Sequence, residues 1–345
     1  MYSRFSLLAI FLLAIFLFAA VLITGCMSSN LFAPKPYKET QFLMDTIIEI
    51  TAYGPQAEEG VKESFVEIHR LHSLANNFDE NSQVSKINQV AGKNKVLAES
   101  DLIAIVNHSR DFSSKLGGAF DVTIGPLTEL WGIGRKGEYI PSQAEIEQSL
   151  SLVDYRLIEV DETANTIYLP KAGMRLDLGG IAKGYAVDKV IEILKAKGIT
   201  SALINAGGDV RVIGNKPDGT PWRIGVQHPR LADEISAKLS LSQWDTMVTS
   251  GDYQRFIMKD GIRYSHILDP RTGRQLSEIA SVTIVTNNSE DGDVLSTGVF
   301  VLGVEKGLEL LKKFPGNEAI IIAVDGRMII TPGLEGKIEI IPEKK

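Results

Sequence analysis

The sequence predicts an α+β fold. Strand-like and helix-like segments mix without a clean βαβ alternation, the C-terminal third is mostly strand, and no short internal period repeats. With 345 residues and 44% hydrophobic composition, the chain can bury the core of one large domain or two small ones. A net charge of −7 argues against a nucleic-acid partner. The five His are scattered without zinc-like spacing.

At the N-terminus, Arg4 precedes an almost wholly apolar run from Phe5 to Ile23, and small residues stand before Cys26. That run is close to membrane-spanning length, so an uncleaved signal anchor is the alternative to a cleaved leader. Leu22-Ile23-Thr24-Gly25-Cys26 resembles a bacterial lipobox, which implies cleavage before Cys26 and its lipidation. Cys26 is the only cysteine, so no disulfide framework exists. The expected organisation is a signal peptide over 1–25, a tether over 26–38 and one domain over 39–345.

After Met44, the β-branched run Asp45 to Thr51 reads as a strand. Gln56 to Asn76 reads as a helix with Val61, Phe65, Ile68, Leu71 and Ala75 on one face. A polar, turn-rich segment follows and contains Phe78. Ser100 is placed to cap a second helix, which Gly117-Gly118 would end. Gly118 to Leu127 reads as a strand-like run closed by Gly125-Pro126. Ser142-x-x-Glu145 is a capping box. Arg156–Val160 and Thr166–Leu169 suggest a hairpin.

Leu176 to Asp188 is read as a strand end, a glycine turn and a helix that runs to about Lys197. The turn is either a packed corner with Asp177 as its cap or a cradle for phosphate. Ala202–Asn205 is a strand ending in Gly207-Gly208-Asp209, with Val210–Ile213 continuing it, and Trp222–Val226 is another. Asp260-Gly261 and Asp325-Gly326 mark hairpin turns. Ile279–Thr286 reads as an alternating apolar strand, followed by helices over Asp293–Leu302 and Glu305–Phe314.

Glycine and acid clusters recur at strand ends: Gly118–Asp121, Asp177–Gly180, Gly207–Asp209 and Gly251-Asp252. Together they suggest a large ligand lying against backbone. None has the spacing of a Walker loop or a dinucleotide fingerprint. On a helix, Asp293, Ser296 and Thr297 would share a face and offer a hard-oxygen set suited to Mg²⁺, unless Asp293 is only a helix cap. His266, between a strand and a Pro-Arg turn, is either a proton acceptor or phosphate donor, or a structural His tied to Asp269.

Met44-Asp45-Thr46, Gly118 to Leu127, Asp177 to Ala186, Asn205 to Asp209, Ser265 to Pro270 with Thr272-Gly273, and Asp293 to Thr297 together resemble the ApbE family of Mg-dependent FAD:protein FMN transferases. The resemblance covers nearly the whole chain after the tether. It implies a mixed α/β, T-fold-like domain with FAD in a central cleft. The implied reaction cleaves the FAD diphosphate, joins FMN to a Thr or Ser hydroxyl of an exported or membrane-embedded redox protein, and releases AMP. It places Mg²⁺ on the Gly180 carbonyl, Asp293 and Thr297, with Ser296 as a further ligand. It places FAD against Met44, Phe78, Ala119, Phe120, Asp121, Asp177, Lys183 and Ile267.

Some members carry an acid at the position of Ser296, Glu at Lys183 and Tyr at Phe78. Position and chemistry make His266 the candidate base. The implied location is a lipid anchor on the outer side of the bacterial inner membrane. Two other readings fit the same residues: an Mg-dependent hydrolase splitting FAD into FMN and AMP, and a non-catalytic flavin-binding lipoprotein.

Overall fold

The computed structural model describes residues 35–342, so the expected signal peptide and Cys26 lie outside the described residues. Its centre is an eight-stranded, wholly antiparallel sheet in the order β1-β2-β6-β7-β10-β13-β14-β15. The strands are β1 Tyr37–Leu43, β2 Thr46–Tyr53, β6 Ser201–Ala206, β7 Asp209–Ile213, β10 Thr246–Gly251, β13 Ile279–Thr286, β14 Glu318–Ala323 and β15 Met328–Ile330. With helices segregated from an antiparallel sheet, the α+β expectation holds.

Three helices pack together against one face of the sheet: α1 Ala57–Ala75, α6 Ala182–Ala196 and α7 Ser289–Leu302. A small sheet of β8 Trp222–Gln227, β9 Ile235–Leu241 and β16 Ile338–Ile340 covers the other. The middle strands are therefore buried on both faces. Every residue of β13 is buried, where the sequence had suggested alternation. Each fully buried Val, Leu or Ile of this kind contributes about 1.5–3 kcal/mol.

The remaining elements wrap one end. They are α2 Gln83–Gln89, α3 Ser100–Lys115, α4 Gly125–Trp131, α5 Gln143–Leu150, α8 Val304–Leu311, the strands β3 Val96–Leu97, β4 Glu159–Asp161 and β5 Thr166–Tyr168, and a separate hairpin of β11 Phe256–Lys259 and β12 Ile262–Ser265. Trp131 is buried beneath this cap, its indole N–H donating to Gly273 O at 2.9 Å.

Several sequence expectations need correction. Tyr37 and Lys38, assigned to the tether, begin β1. Gly118–Leu127 is not a strand: it makes one isolated bridge, Ile124 to Arg175, and Gly125-Pro126 starts α4. Proline in the first turn loses no helical hydrogen bond, so the pair opens a helix rather than closing a strand. Leu176-Asp177-Leu178 likewise forms no strand. Glu99, not Ser100, sits at the N-cap of α3. Asp209–Ile213 does not continue β6. It folds back on it through Gly207 and Gly208, both at positive φ. A Cβ on Gly207 would also stand 2.0 Å from Thr46 Oγ1.

Helix α7 begins a turn before Asp293. Asn288 is its cap, accepting from the Asp291 N–H at 2.7 Å. Asp293 is therefore not the cap of its own helix.

Candidate active site

One cleft of ≈ 420 Å³ gathers most of the residues singled out above. Its size is that of a small-molecule site. Met44, Phe78, Ala119, Phe120, Asp121, Asp177, Gly180, Lys183, His266, Ile267, Asp293 and Thr297 all line it. Ser296 is not brought to the cleft. It is fully buried behind the wall, its hydroxyl donating to Asp293 O at 2.9 Å and sharing a 2.8 Å hydrogen bond with Ser250.

Close packing of α6 against α7 builds the polar end of the cleft. Gly184 makes that approach possible, because a Cβ there would lie 2.3 Å from Ser289 O. Asp188, one turn along α6, accepts from the N–H groups of Ser289 at 3.0 Å and Glu290 at 3.1 Å. It thus supplies a negative charge at the positive end of α7. Arg211 from β7 holds Asp188 from the other side.

The crossing aims Asp293 at the cleft, where its Oδ2 accepts from Gly184 N–H at 3.1 Å. Lys183 Nζ lies 3.1 and 3.2 Å from the two Asp293 oxygens and 2.9 Å from Asp209 Oδ2. Burial lowers the Lys183 pKa, but the two carboxylates outweigh it and hold the ammonium firmly charged. Burial pushes Asp293 up, opposed by Lys183. Two buried acids side by side need a cation, and here Lys183 supplies it.

Gly180 faces this group. A Cβ on it would stand 3.1 Å from Phe120 Cε2 and 3.4 Å from Thr297 Oγ1, narrowing the space between the turn and α7. Asp177 holds the turn itself, its Oδ1 accepting from Gly179 N–H at 2.9 Å and its Oδ2 from Thr128 hydroxyl at 2.8 Å. Asp121 is also committed to structure: Thr123 N–H, Thr123 hydroxyl and Tyr155 N–H all donate to it, at 2.7, 2.7 and 2.9 Å. Burial pushes its pKa up against those donors.

His266 follows β12. Its Nδ1 lies 3.2 Å from the Arg255 carbonyl, which can only accept. Nδ1 therefore carries the proton and Nε2 keeps its lone pair. Desolvation, with Arg255 and then Lys183 as unfavourable neighbours, pulls its pKa down to about 3. Asp269, the partner considered from sequence, is instead bound to Arg271 at 2.7 Å.

The donor chemistry fits the implied metal. A carboxylate, a hydroxyl and a backbone carbonyl beside a glycine are hard oxygens of the kind Mg²⁺ takes. Asp293, Thr297 and Gly180 would hold it, and Lys183 shares the Asp293 carboxylate.

The sequence profile of the ApbE family matches residues 44–321. The chain belongs to the ApbE family. It is 36% identical over 307 residues to a FAD:protein FMN transferase of Klebsiella pneumoniae, spanning 88% of this chain and 93% of that protein. A FAD:protein FMN transferase of Treponema pallidum is 30% identical over 325 residues, spanning 89% and 90%. The crystal structure of the ApbE protein of Thermotoga maritima superposes with a TM-score of 0.81 at 32% identity, covering 88% of this chain and 99% of that one. The apo flavinyl transferase ApbE of Pseudomonas stutzeri gives 0.79 at 30% identity, covering 89% and 98%. The mixed architecture expected from the ApbE resemblance is therefore the fold observed.

Several pairings in and beside this ApbE cleft were not foreseen from sequence. Asp209 stood in a recognised glycine-acid cluster, but only the β6–β7 hairpin turns it toward Lys183. Arg135 stacks on Phe78, its guanidinium carbon 3.0 Å from the ring centroid, and bonds Asp45 at 3.1 Å. Met44 and Asp45 both adopt positive φ, as a two-residue hairpin turn demands. The Met44 N–H donates to His72 Nδ1 at 3.2 Å. None of these pairings has a local sequence signal.

Proposed function

We propose that this chain transfers FMN from FAD to a Thr or Ser hydroxyl of a target protein, with Mg²⁺ as cofactor and AMP as the leaving group. FAD:protein FMN transfer is the activity its ApbE relatives are named for. The observation that carries the finer reading is the meeting of Asp293, Thr297 and the Gly180 turn with His266 in one cleft. Hard-oxygen donors beside a neutral imidazole suit phosphoryl transfer to a hydroxyl.

In this reading the acceptor oxygen forms a bond to the FMN phosphorus as the bond to the bridging diphosphate oxygen breaks. The hydroxyl proton passes to His266 Nε2, whose depressed proton affinity the negative charge of the bound FAD diphosphate raises, and AMP departs with the bridging oxygen. A bound Mg²⁺ supplies charge neutralisation at the diphosphate. Lys183 adds a fixed positive charge at the same end. Phe78, half-exposed at the mouth, offers a flat apolar face for the flavin. Asp121 and Asp177 act by holding the loops that line the cleft.

The proposed setting is a lipid anchor at Cys26 on the outer side of the bacterial inner membrane, facing an exported or membrane-embedded redox protein. Metabolic labelling with a fatty-acid analogue is expected to mark the wild-type chain and not Cys26→Ser; an unlabelled wild-type chain defeats the anchor.

The activity test uses detergent-solubilised full chain with FAD, Mg²⁺ and a flavin-accepting redox domain. A covalently fluorescent acceptor band with one AMP per flavin attached is expected. AMP released at a rate indifferent to acceptor would replace the reading with FAD hydrolysis. Intact FAD after long incubation would leave a flavin-binding protein.

A further inference from the structure

We propose that Lys183 is the resident cation of the diphosphate site, competing with a divalent metal for Asp293 and allowing FAD to bind when no metal is present. The inference rests on the placement of the FAD diphosphate beside Asp293 given above. It starts from a charge count. Asp209 and Asp293 are each less than a tenth exposed, and Lys183 Nζ lies within 3.2 Å of both carboxylates. Both oxygens of Asp293 are taken, Oδ1 by Lys183 and Oδ2 by Lys183 and Gly184 N–H.

A metal drawing on Asp293 must therefore share or displace a contact that already stabilises it, and it meets the repulsion of a fixed ammonium ion. Lys183 should weaken metal binding for that reason. The same ammonium has the opposite effect on FAD. Without it, a dianionic diphosphate would face two uncompensated carboxylates; with it, the net charge of the group is halved and a positive centre faces the diphosphate. Lys183 keeps about a quarter of its side chain open to the cleft, so a phosphate oxygen can reach it. Asp209 orients it: the acid stands at the first residue of β7 and is itself pinned by the Thr249 N–H at 2.9 Å.

The test measures binding on the full chain in detergent, apart from turnover. Mg²⁺ alone is titrated into EDTA-stripped, desalted wild type and Lys183→Met by calorimetry. FAD binding is followed by flavin fluorescence, once in EDTA and once in saturating Mg²⁺. Lys183→Met is expected to bind Mg²⁺ at least tenfold more tightly. It should also bind FAD at least tenfold more weakly in EDTA, with a gap of under threefold in saturating Mg²⁺. Unchanged or weaker Mg²⁺ binding, or unchanged FAD binding in EDTA, overturns the proposal.

Lys183→Met leaves two buried acids unpaired. If it does not fold, the double variant Lys183→Met, Asp209→Asn removes one of them and is held to the same Mg²⁺ and EDTA criteria. Lys183→Arg keeps the charge and should preserve FAD binding in EDTA. Absence of flavin transfer to any acceptor would remove the transferase reading and leave this competition standing. Transfer with no competition would do the reverse.

Discussion

Gly184→Ala tests whether the crossing of α6 and α7 sets the geometry of the acid–cation group. The new Cβ would stand 2.3 Å from Ser289 O and 2.7 Å from Glu290 Cα, against 3.4 Å or more for ordinary contact. Both obstacles are backbone, so no side chain can turn aside. The helices must part by about 1 Å, forfeiting much of the dispersion attraction between them. Overpacking of this kind costs about 1–3 kcal/mol. Parting also stretches the Gly184–Asp293 and Asp188–Ser289 hydrogen bonds, each of which contributes about 1 kcal/mol or more. Alanine returns about 1 kcal/mol of helix propensity. The net is a loss of about 1–3 kcal/mol, or roughly 1.5–5 °C in Tm for a domain of this size. Scanning calorimetry measures it, and FAD titration should show weakened binding in the folded variant at 20 °C. A Tm equal to or above wild type would refute the close-approach reasoning.

Asp293→Ala should reduce FMN transfer by about 10²-fold or more, measured by flavin fluorescence on the acceptor; full turnover would remove Asp293 from the chemistry. His266→Asn should slow transfer by about 10²-fold while leaving the FAD dissociation constant within a few-fold, because Nε2 is assigned a proton-transfer role. The depressed pKa of His266, about 3, keeps the imidazole neutral down to acid pH. Between there and pH 6.5 the unfolded chain binds the extra proton, so stability falls as pH falls through that window, and His266→Asn should flatten the slope in a Tm series. Glu290 has the opposite sign. Desolvation first, then the carboxylates of Asp188, Asp291 and Asp293 against His108, raise its pKa to about 7. The folded state therefore holds a proton the unfolded chain has lost. Its contribution to stability is lost as pH rises from about 4.5 to about 7, opposing that of His266 where the windows overlap, and Glu290→Gln should remove it, leaving a steeper rise of Tm with pH.

Local signals in the sequence carried different parts of the fold unequally. The apolar stripe of α1 was legible because Val61, Phe65, Ile68 and Leu71 recur at the helical period; all four are buried. Asp260-Gly261 was legible because both residues take positive φ in a two-residue hairpin. The strand reading of Gly118–Leu127 failed because its Val, Thr and Ile resemble a strand while its polar groups are spent locally, Asp121 collecting three donors from a tight loop. The start of α7 was misplaced by a turn because Ser289–Gly292 is polar for another reason. Ser289 and Glu290 give their backbone N–H groups to Asp188 of α6 and Asp291 pairs with His108 of α3, and no window of consecutive residues contains both partners.

The same distinction separates what could and could not be read of the site. Asp293 and Thr297 share a helical face, a short-range property, and both line the cleft as spacing predicts. Ser296 is adjacent in sequence and points elsewhere, because an α-helix turns each successive residue by about a quarter of its circumference. Its hydroxyl reaches Ser250 on β10 instead. Lys183 and Asp209 lie 26 positions apart and meet through a 2.9 Å ion pair created by the sheet. Composition marks each as merely polar; their pairing makes Asp293 a carboxylate already shared with a cation, which the proposed metal has to meet. A motif can therefore name the oxygen proposed to hold a metal without revealing the cation already beside it.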